Sequence, residues 1–228
     1  MAIALINKGI TRGTTGDATV TIDTTGANLL LVVIGWYTFA SRTFTDGNSN
    51  AGWTTLTGYG TNLPKIEIRY VLDPATVGAS HAFSIDTGDS GSIAAYAFSG
   101  VGAYESVTGR DGGTATSHST NTLTPSANGA LLVAGAAFGA ASTESGAGTY
   151  TGLQQVNYSA GNGFGLVTSH YIQPTAAAVE ETYSGSSVER ALTQACFTPA
   201  AEATGHPASR RMGGVKFSGS QLLGISRW

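Results

Sequence analysis

Residues 27–37 read Ala-Asn-Leu-Leu-Leu-Val-Val-Ile-Gly-Trp-Tyr, and residues 127–138 read Ala-Asn-Gly-Ala-Leu-Leu-Val-Ala-Gly-Ala-Ala-Phe. Each stretch opens on an Ala-Asn pair and continues as an aliphatic run far too short to cross a bilayer. An unbroken apolar run of this length predicts a strand covered on both faces. Residues 92–98 carry the same signature. Elsewhere the pattern alternates. Ile66, Ile68, Tyr70 and Leu72 fall on one face and Lys65, Glu67 and Arg69 on the other, while Ala18, Val20 and Ile22 alternate with Thr19 and Thr21. That period of two is what a sheet with one wet face requires. Helical periodicity is almost absent, its best candidate being the stretch 175–181 after Pro174. About twelve strands punctuated by Gly, Asn, Asp and Pro turns have the spacing of a sandwich or barrel. The predicted class is all-β.

The two opening stretches also begin an internal repeat, offset by about 100 residues. Residues 27–33 match 127–133, and Trp53 to Leu56 lines up with Tyr150 to Leu153. Residues 70–74 (Tyr-Val-Leu-Asp-Pro) pair with 171–174 (Tyr-Ile-Gln-Pro) after one gap. His81 to Ser84 meets Glu181 to Ser184, and 95–100 meets 194–199. No linker separates the halves, so the expected fold is one antiparallel, jelly-roll-like β-sandwich to which two sequence-similar halves contribute equivalent strands. Two tandem sandwiches are the alternative. The halves are placed at about 17–110 and 111–203, with 111–124 a long connection carrying its own strand. Residues 1–16 are read as an N-terminal arm and 204–228 as a C-terminal basic and aromatic arm.

Composition narrows the function classes. Charged residues are 11% of the chain against 41% hydrophobic, which argues against disorder. A net charge of −3 gives no electrostatic reason to expect nucleic acid as a partner. The single Cys196 lies in an apolar run and is read as a buried, inert thiol. The N-terminus lacks a charged region followed by an adequate apolar stretch, so no signal peptide and no membrane partner are expected, and synthesis is placed in a host cytoplasm.

The Leu-rich strand after Asn28, the turn 46–48 before Trp53, the aromatic strand ending before Pro74, and Ala94-Ala-Tyr-Ala-Phe-Ser-Gly-Val101 followed by a similar second half form a pattern. It resembles a β-sandwich module of tailed-phage and prophage virion structural proteins and of bacterial surface proteins. The resemblance covers residues 17–200. It implies a jelly-roll-like fold and a virion or surface role, and it brings no catalytic residues with it.

The search for chemistry returns little. No His lies within metal-ligand spacing of another His or of Cys196. His81 shares a strand face with Phe83 and Ile85, His170 shares one with Leu166 and Ile172, and His118 and His206 read as loop residues. No nucleophile elbow, phosphate loop or zinc-protease helix motif occurs. The glycines at 161–165 precede a strand and read as a hairpin turn. Glu180 and Glu181 fall on opposite strand faces, so they cannot share a cleft. No enzyme activity and no cofactor are expected.

Asp46, Asn48 and Asn50 alternate as oxygen donors do around Ca²⁺ and form a weak calcium candidate. Trp36 and Trp53, beside Tyr37 and Tyr59, would serve as sugar-stacking platforms if exposed; core filling is the competing reading. The C-terminal arm has no acids but holds Arg210, Arg211, Lys216 and Arg227, four of the eleven basic residues. Its Val215, Phe217, Leu222, Leu223, Ile225 and Trp228 call for a surface to cover them. The expected interface therefore comprises Arg210, Arg211, Lys216, Phe217, Leu222, Leu223 and Trp228. The expected function is a phage-like virion structural protein (capsid decoration, head-fibre or tail-associated). Its partners would be itself, with a trimer favoured, and other virion proteins. The alternative is a carbohydrate-binding surface or adhesin module whose partner is a cell-surface glycan.

Overall fold

The computed structural model describes residues 1–13, 17–37, 42–86, 90–158 and 163–201, and the structural statements below concern these residues. They form strands without a helix. The first half contains Ala4–Gly13 (β1), Ala18–Ile22 (β2), Leu29–Trp36 (β3), Phe44–Asp46 (β4), Thr54–Thr55 (β5), Lys65–Leu72 (β6), His81–Ile85 (β7) and Gly91–Ser99 (β8). The second contains Val101–Ser119 (β9), Ala130–Phe138 (β10), Ser145–Gly146 (β11), Thr151–Tyr158 (β12), Phe164–Gln173 (β13) and Thr182–Pro199 (β14).

Strand pairing is antiparallel throughout and stays within each half. The first half makes a sheet ordered β1-β8-β3-β6-β5 and a smaller one ordered β2-β7-β4. The pairs nest: β1 with β8, β2 with β7, β3 with β6. In the second half β10 likewise sits between β14 and β13, and β12 extends the sheet beyond β13. Here β9 and β14 each run without a break along the path that two separate strands follow in the first half. Their ladder runs from Val101↔Pro199 to Ser119↔Thr182, with a wide bulge between Ser184 and Val188 and smaller register shifts at Arg190/Ala191, Cys196/Phe197 and Thr198/Pro199. Beyond that bulge, β11 pairs with Ser184 and Tyr183 as β4 pairs with β7.

Three apolar cores follow from this arrangement. Leu29, Leu31 and Val33 of β3 face Leu131, Val133 and Ala137 of β10 across the centre. The opposite face of β3 (Leu30, Val32, Ile34, Trp36) packs against Val20, Ile22, Phe83 and Ile85 of the small sheet. The opposite face of β10 (Leu132, Ala134, Ala136, Phe138) meets Tyr183 and Val188, where the bent part of β14 closes over it. Every residue of β3 and β10 is therefore buried, as their unbroken apolar sequences predict. Each fully buried aliphatic side chain contributes about 1.5–3 kcal/mol of transfer free energy.

The halves are clasped at both sheet edges and at the centre. Tyr96 donates a buried hydrogen bond to Thr168 at 2.7 Å across the central core. At one edge Lys8 Nζ donates to Gly152 O, and the Arg12 guanidinium lies 5.2 Å from the Tyr158 ring centroid. At the other, the Thr61 amide donates to Asp111 Oδ2 at 2.9 Å. Tyr59 packs there on Gly109, where a Cβ would come within 2.3 Å of its ring.

Several expectations change. Residues 1–16 are not an arm at their core, because β1 pairs with β8 from Ala4↔Ser99 to Gly13↔Gly91. The boundary between halves falls at Gly100, since Val101 already begins β9; the supposed connection 111–124 is largely β9, and His118 is a buried strand residue rather than a loop residue. The stretch 175–181 is not helical; Val179 bridges to Leu123. Tyr70 packs on the central core whereas Tyr171 packs on the outer one, so the repeat alignment there is one residue out of phase. A slip of one residue exchanges the faces of a strand. The C-terminal arm 204–228, with His206, lies outside the described residues.

The central sheets approach closely because Gly35 and Gly135 carry no side chain. A Cβ on Gly135 would lie 3.0 Å from Val33 Cγ1. Gly135→Val should therefore lower the urea midpoint, losing about 1–3 kcal/mol by overpacking. Gly78→Ala, where a Cβ meets nothing within 4 Å, should stay within about 0.5 kcal/mol of the parent.

Candidate functional site

The densest polar cluster surrounds Asp46, at the end of β4. Its carboxylate oxygen Oδ1 accepts from the Asn48 amide at 2.8 Å and pairs with His81 Nε2 at 2.5 Å. The other oxygen, Oδ2, accepts from Asn50 Nδ2 and from the Trp53 indole N–H, each at 3.0 Å. His81, on the inward face of β7, places its Nδ1 3.1 Å from Thr24 Oγ1. Thr24 in turn takes the Gly78 amide at 2.9 Å. Burial works to raise the Asp46 pKa, but the hydrogen bonds from His81, Trp53, Asn50 and Asn48 outweigh it and hold the carboxyl below its ordinary range.

Carboxylate, imidazole and hydroxyl in sequence have the form of a nucleophilic triad. Thr24 and His81, however, have no solvent-accessible surface. The Thr24 oxygen is already engaged by Gly78 on the same edge. The cluster ties β4, β7 and the loops at 24, 50 and 76 together, and no substrate reaches its hydroxyl. The calcium reading of Asp46, Asn48 and Asn50 fails for a related reason. Asp46 oxygens are surrounded by N–H donors, and Asn50 Oδ1 accepts from the Thr76 amide at 2.7 Å. Donors pointing at a carboxylate leave no lone pairs converging on a cation. Among the described residues no group of three His, Cys, Asp or Glu side chains could hold a metal.

The indoles proposed as stacking platforms lie in the first half's outer core. Trp36 is buried, and Trp53 sits edge-to-face between Phe44 and Phe83, at 4.7 and 6.0 Å. Tyr37 and Tyr59 are half-buried. His170 is buried with its Nδ1 unpartnered, and burial and the charge on Lys8 push its pKa down to about 4. Cys196 is a buried free thiol, raised by burial and by Glu105. Glu180 is exposed and Glu181 buried, the opposite faces read from sequence. The arm residues Arg210, Arg211, Lys216, Phe217, Leu222, Leu223 and Trp228 lie outside the described residues.

The second half has its own buried pair, which sequence reasoning missed. Arg190 Nη2 donates to both oxygens of Glu144, at 2.8 and 3.0 Å, with both side chains fully buried. The same guanidinium donates to the carbonyls of Ser186 and Val188, at 2.9 and 3.2 Å, so it braces the bulge of β14. The two residues stand 46 apart in sequence, and no local pattern announces such a partner.

Concavities among the described residues include two near the sheet edges. A hollow of about 70 Å³ lies between Pro64, Asp111 and Arg190. A cleft of about 400 Å³ runs between Met1–Ile3, Ile172 and Pro199–Ala201. The Met1 amino group donates to Ala200 O there at 3.1 Å. Compared with protein families, curated proteins and solved structures, the chain matches none.

Asp46→Asn should destabilise the protein by about 2–3 kcal/mol, because charge-assisted bonds to His81 and Trp53 are weakened in a dry site. The folded pKa lies below the ordinary 3.8, so the stabilisation is present above that pH and lost as pH falls through the folded value. Thermal unfolding of both proteins at pH 7 and pH 3 checks this. Their difference should shrink at the lower pH.

Proposed function

We propose that the protein is a structural component of a phage-like particle, a capsid decoration, head-fibre or tail-associated protein that works by self-assembly and binding. The observation that carries the reading is the nested pairing of the first half, β1 with β8, β2 with β7 and β3 with β6, in sheets ordered β1-β8-β3-β6-β5 and β2-β7-β4. Apart from β5, which lies beside β6 instead of β4, this nesting supports a wrapped-hairpin, jelly-roll-like reading, the architecture used by viral capsid and lectin domains. The second half repeats the order with β9 and β14 unbroken, which supports a duplicated unit. A fold of this kind hosts several functions, so the assignment rests also on what the surface offers.

The glycan-binding alternative calls for aromatic rings on an outward face. Among the described residues the exposed large apolar side chains are Met1, Val77 and Leu153, and no aromatic ring is among them. The assembly reading needs an attachment element instead. The described residues end at Ala201, on the rim of the cleft beside Met1, and the basic and aromatic residues 204–228 come after it in sequence. In this reading the segment docks onto a neighbouring subunit or another virion protein through Phe217, Leu222, Leu223 and Trp228, with Arg210, Arg211 and Lys216 at the rim.

Light scattering at micromolar concentration should give a mass well above 23.1 kDa, with three copies favoured. Truncation after Thr204 should leave the circular dichroism and melting transition intact while returning the mass to that of one chain. A full-length monomer, or a truncated protein that assembles normally, would overturn the assembly role. Mass spectrometry of particles purified from the source organism tests the virion location directly.

A further inference from the structure

The two halves place different chemistry at the same point of the same strand order. In the first, His81 begins β7 and faces Asp46 of β4, and Asp46 stands opposite Phe83 in the ladder. In the second, Gly146 of β11 stands opposite Tyr183 as Asp46 stands opposite Phe83, and Glu181 precedes Tyr183 by the same two positions. The second half therefore has a carboxylate where the first has an imidazole, and a glycine where the first has the imidazole's counter-charge.

Glu181 has no solvent-accessible surface, and neither of its carboxyl oxygens closes a hydrogen bond. Gly146 admits it only because it lacks a side chain, since a Cβ there would lie 2.5 Å from Glu181 Oε1. The amides of Ala147, Tyr150 and Thr182 and the Ser169 hydroxyl face the carboxyl and favour its charged form, but burial outweighs them and pushes its pKa up to about 7. The Tyr150 hydroxyl, also buried, is without a partner.

Among the described residues, the titratable groups around it offer no compensating cation. Tyr150, ahead of β12, and Tyr183, on β14, are phenols held well above their ordinary range by burial and by Glu181 itself. Tyr171 on β13 and Cys196 on β14 stand behind Tyr150. His118, opposite Tyr183 on β9, is pushed toward its neutral form by burial and by Arg190 and Arg110. The Arg190 Nη2 group is engaged by Glu144.

We propose that Glu181 is a proton-operated latch: the second half's outer layer is closed when this carboxyl is protonated, and its ionisation loosens the cover formed by β11 and the loop to Tyr150. The ligand is the proton, and the moving part is the short ladder between Ser145–Gly146 and Tyr183–Ser184. A carboxyl that binds its proton more tightly when folded stabilises the fold at low pH, and that stabilisation is lost as pH rises through the folded value. The direction is opposite to that of Asp46, and the stabilisation falls away between the ordinary 4.5 and about 7.

The test is amide hydrogen exchange and urea unfolding of the full chain between pH 5 and pH 8, for the parent and for Glu181→Gln. From pH 5 to pH 8 the parent's unfolding equilibrium constant should rise at least tenfold more than the variant's, with exchange at Ser145, Gly146 and Tyr183 rising most. Glu181→Gln, which imitates the protonated form, should remove that relative loss, whereas Asp46→Asn should leave it in place. Parallel pH curves for parent and Glu181→Gln would overturn the latch. Should Glu181→Gln fail to fold, the carboxyl carbon of Glu181 in the ¹³C-labelled parent decides. Titration near pH 7 supports the latch, and titration near the ordinary 4.5 overturns it.

Discussion

A sheet buried on both faces has to be covered twice, and the rest of this molecule follows from that constraint on β3 and β10. Neither strand carries a polar residue that could face water. Each half covers one face of its main sheet with its own small outer layer, and the other face with the main sheet of its partner half. Neither main sheet would have its central face covered without the other. The central contact is therefore a core in character rather than an interdomain surface. Gly35 and Gly135 let the two backbones approach, and Tyr96, reaching Thr168, satisfies a polar group where water is excluded.

The sequence made this constraint legible because it is written locally. An unbroken aliphatic run reports double burial by itself, and the two opening stretches look alike because both central strands obey the same rule. The misreadings share the opposite property. β9 is rich in Gly, Ser and Thr, and it holds its extended form through its ladder with β14 rather than through its own periodicity. β1 alternates poorly because it is an edge strand whose residues are mostly half-buried. The Tyr70 and Tyr171 alignment followed residue identity, while burial follows parity, and one unmatched residue put the two rings in different cores.

The polar clusters were hidden for a related reason. Asp46 looked like the start of a turn, and it is one; what sequence could not supply was His81, which lies 35 residues away and reaches it only because β4 pairs with β7. Once that pairing forms, the alternating oxygens of the loop turn toward protein N–H groups instead of a cation. The indole of Trp53 belongs to the same account. A side chain that reads as a free aromatic platform is held by a hydrogen bond on one side and by Phe44 and Phe83 on the others.

The halves differ in how the chain passes from the main sheet to the outer layer. In the first, β1 and β2 are separate strands, as are β7 and β8. The second keeps β9 and β14 continuous and turns the corner with the bulge between Ser184 and Val188. A continuous strand transmits strain along its ladder unless something anchors the corner. The buried Arg190 does so, gripping Glu144 together with the carbonyls on the bulge. Residues 182–184, which carry the segment next to Glu181, lie on the far side of that anchor from the central core. Loosening there disturbs a ladder of two residue pairs with β11, while Arg190 to Phe197 stays held between β9 and β10. The same bulge that lets one strand serve two layers keeps an uncompensated carboxyl from weakening the core on which both halves depend.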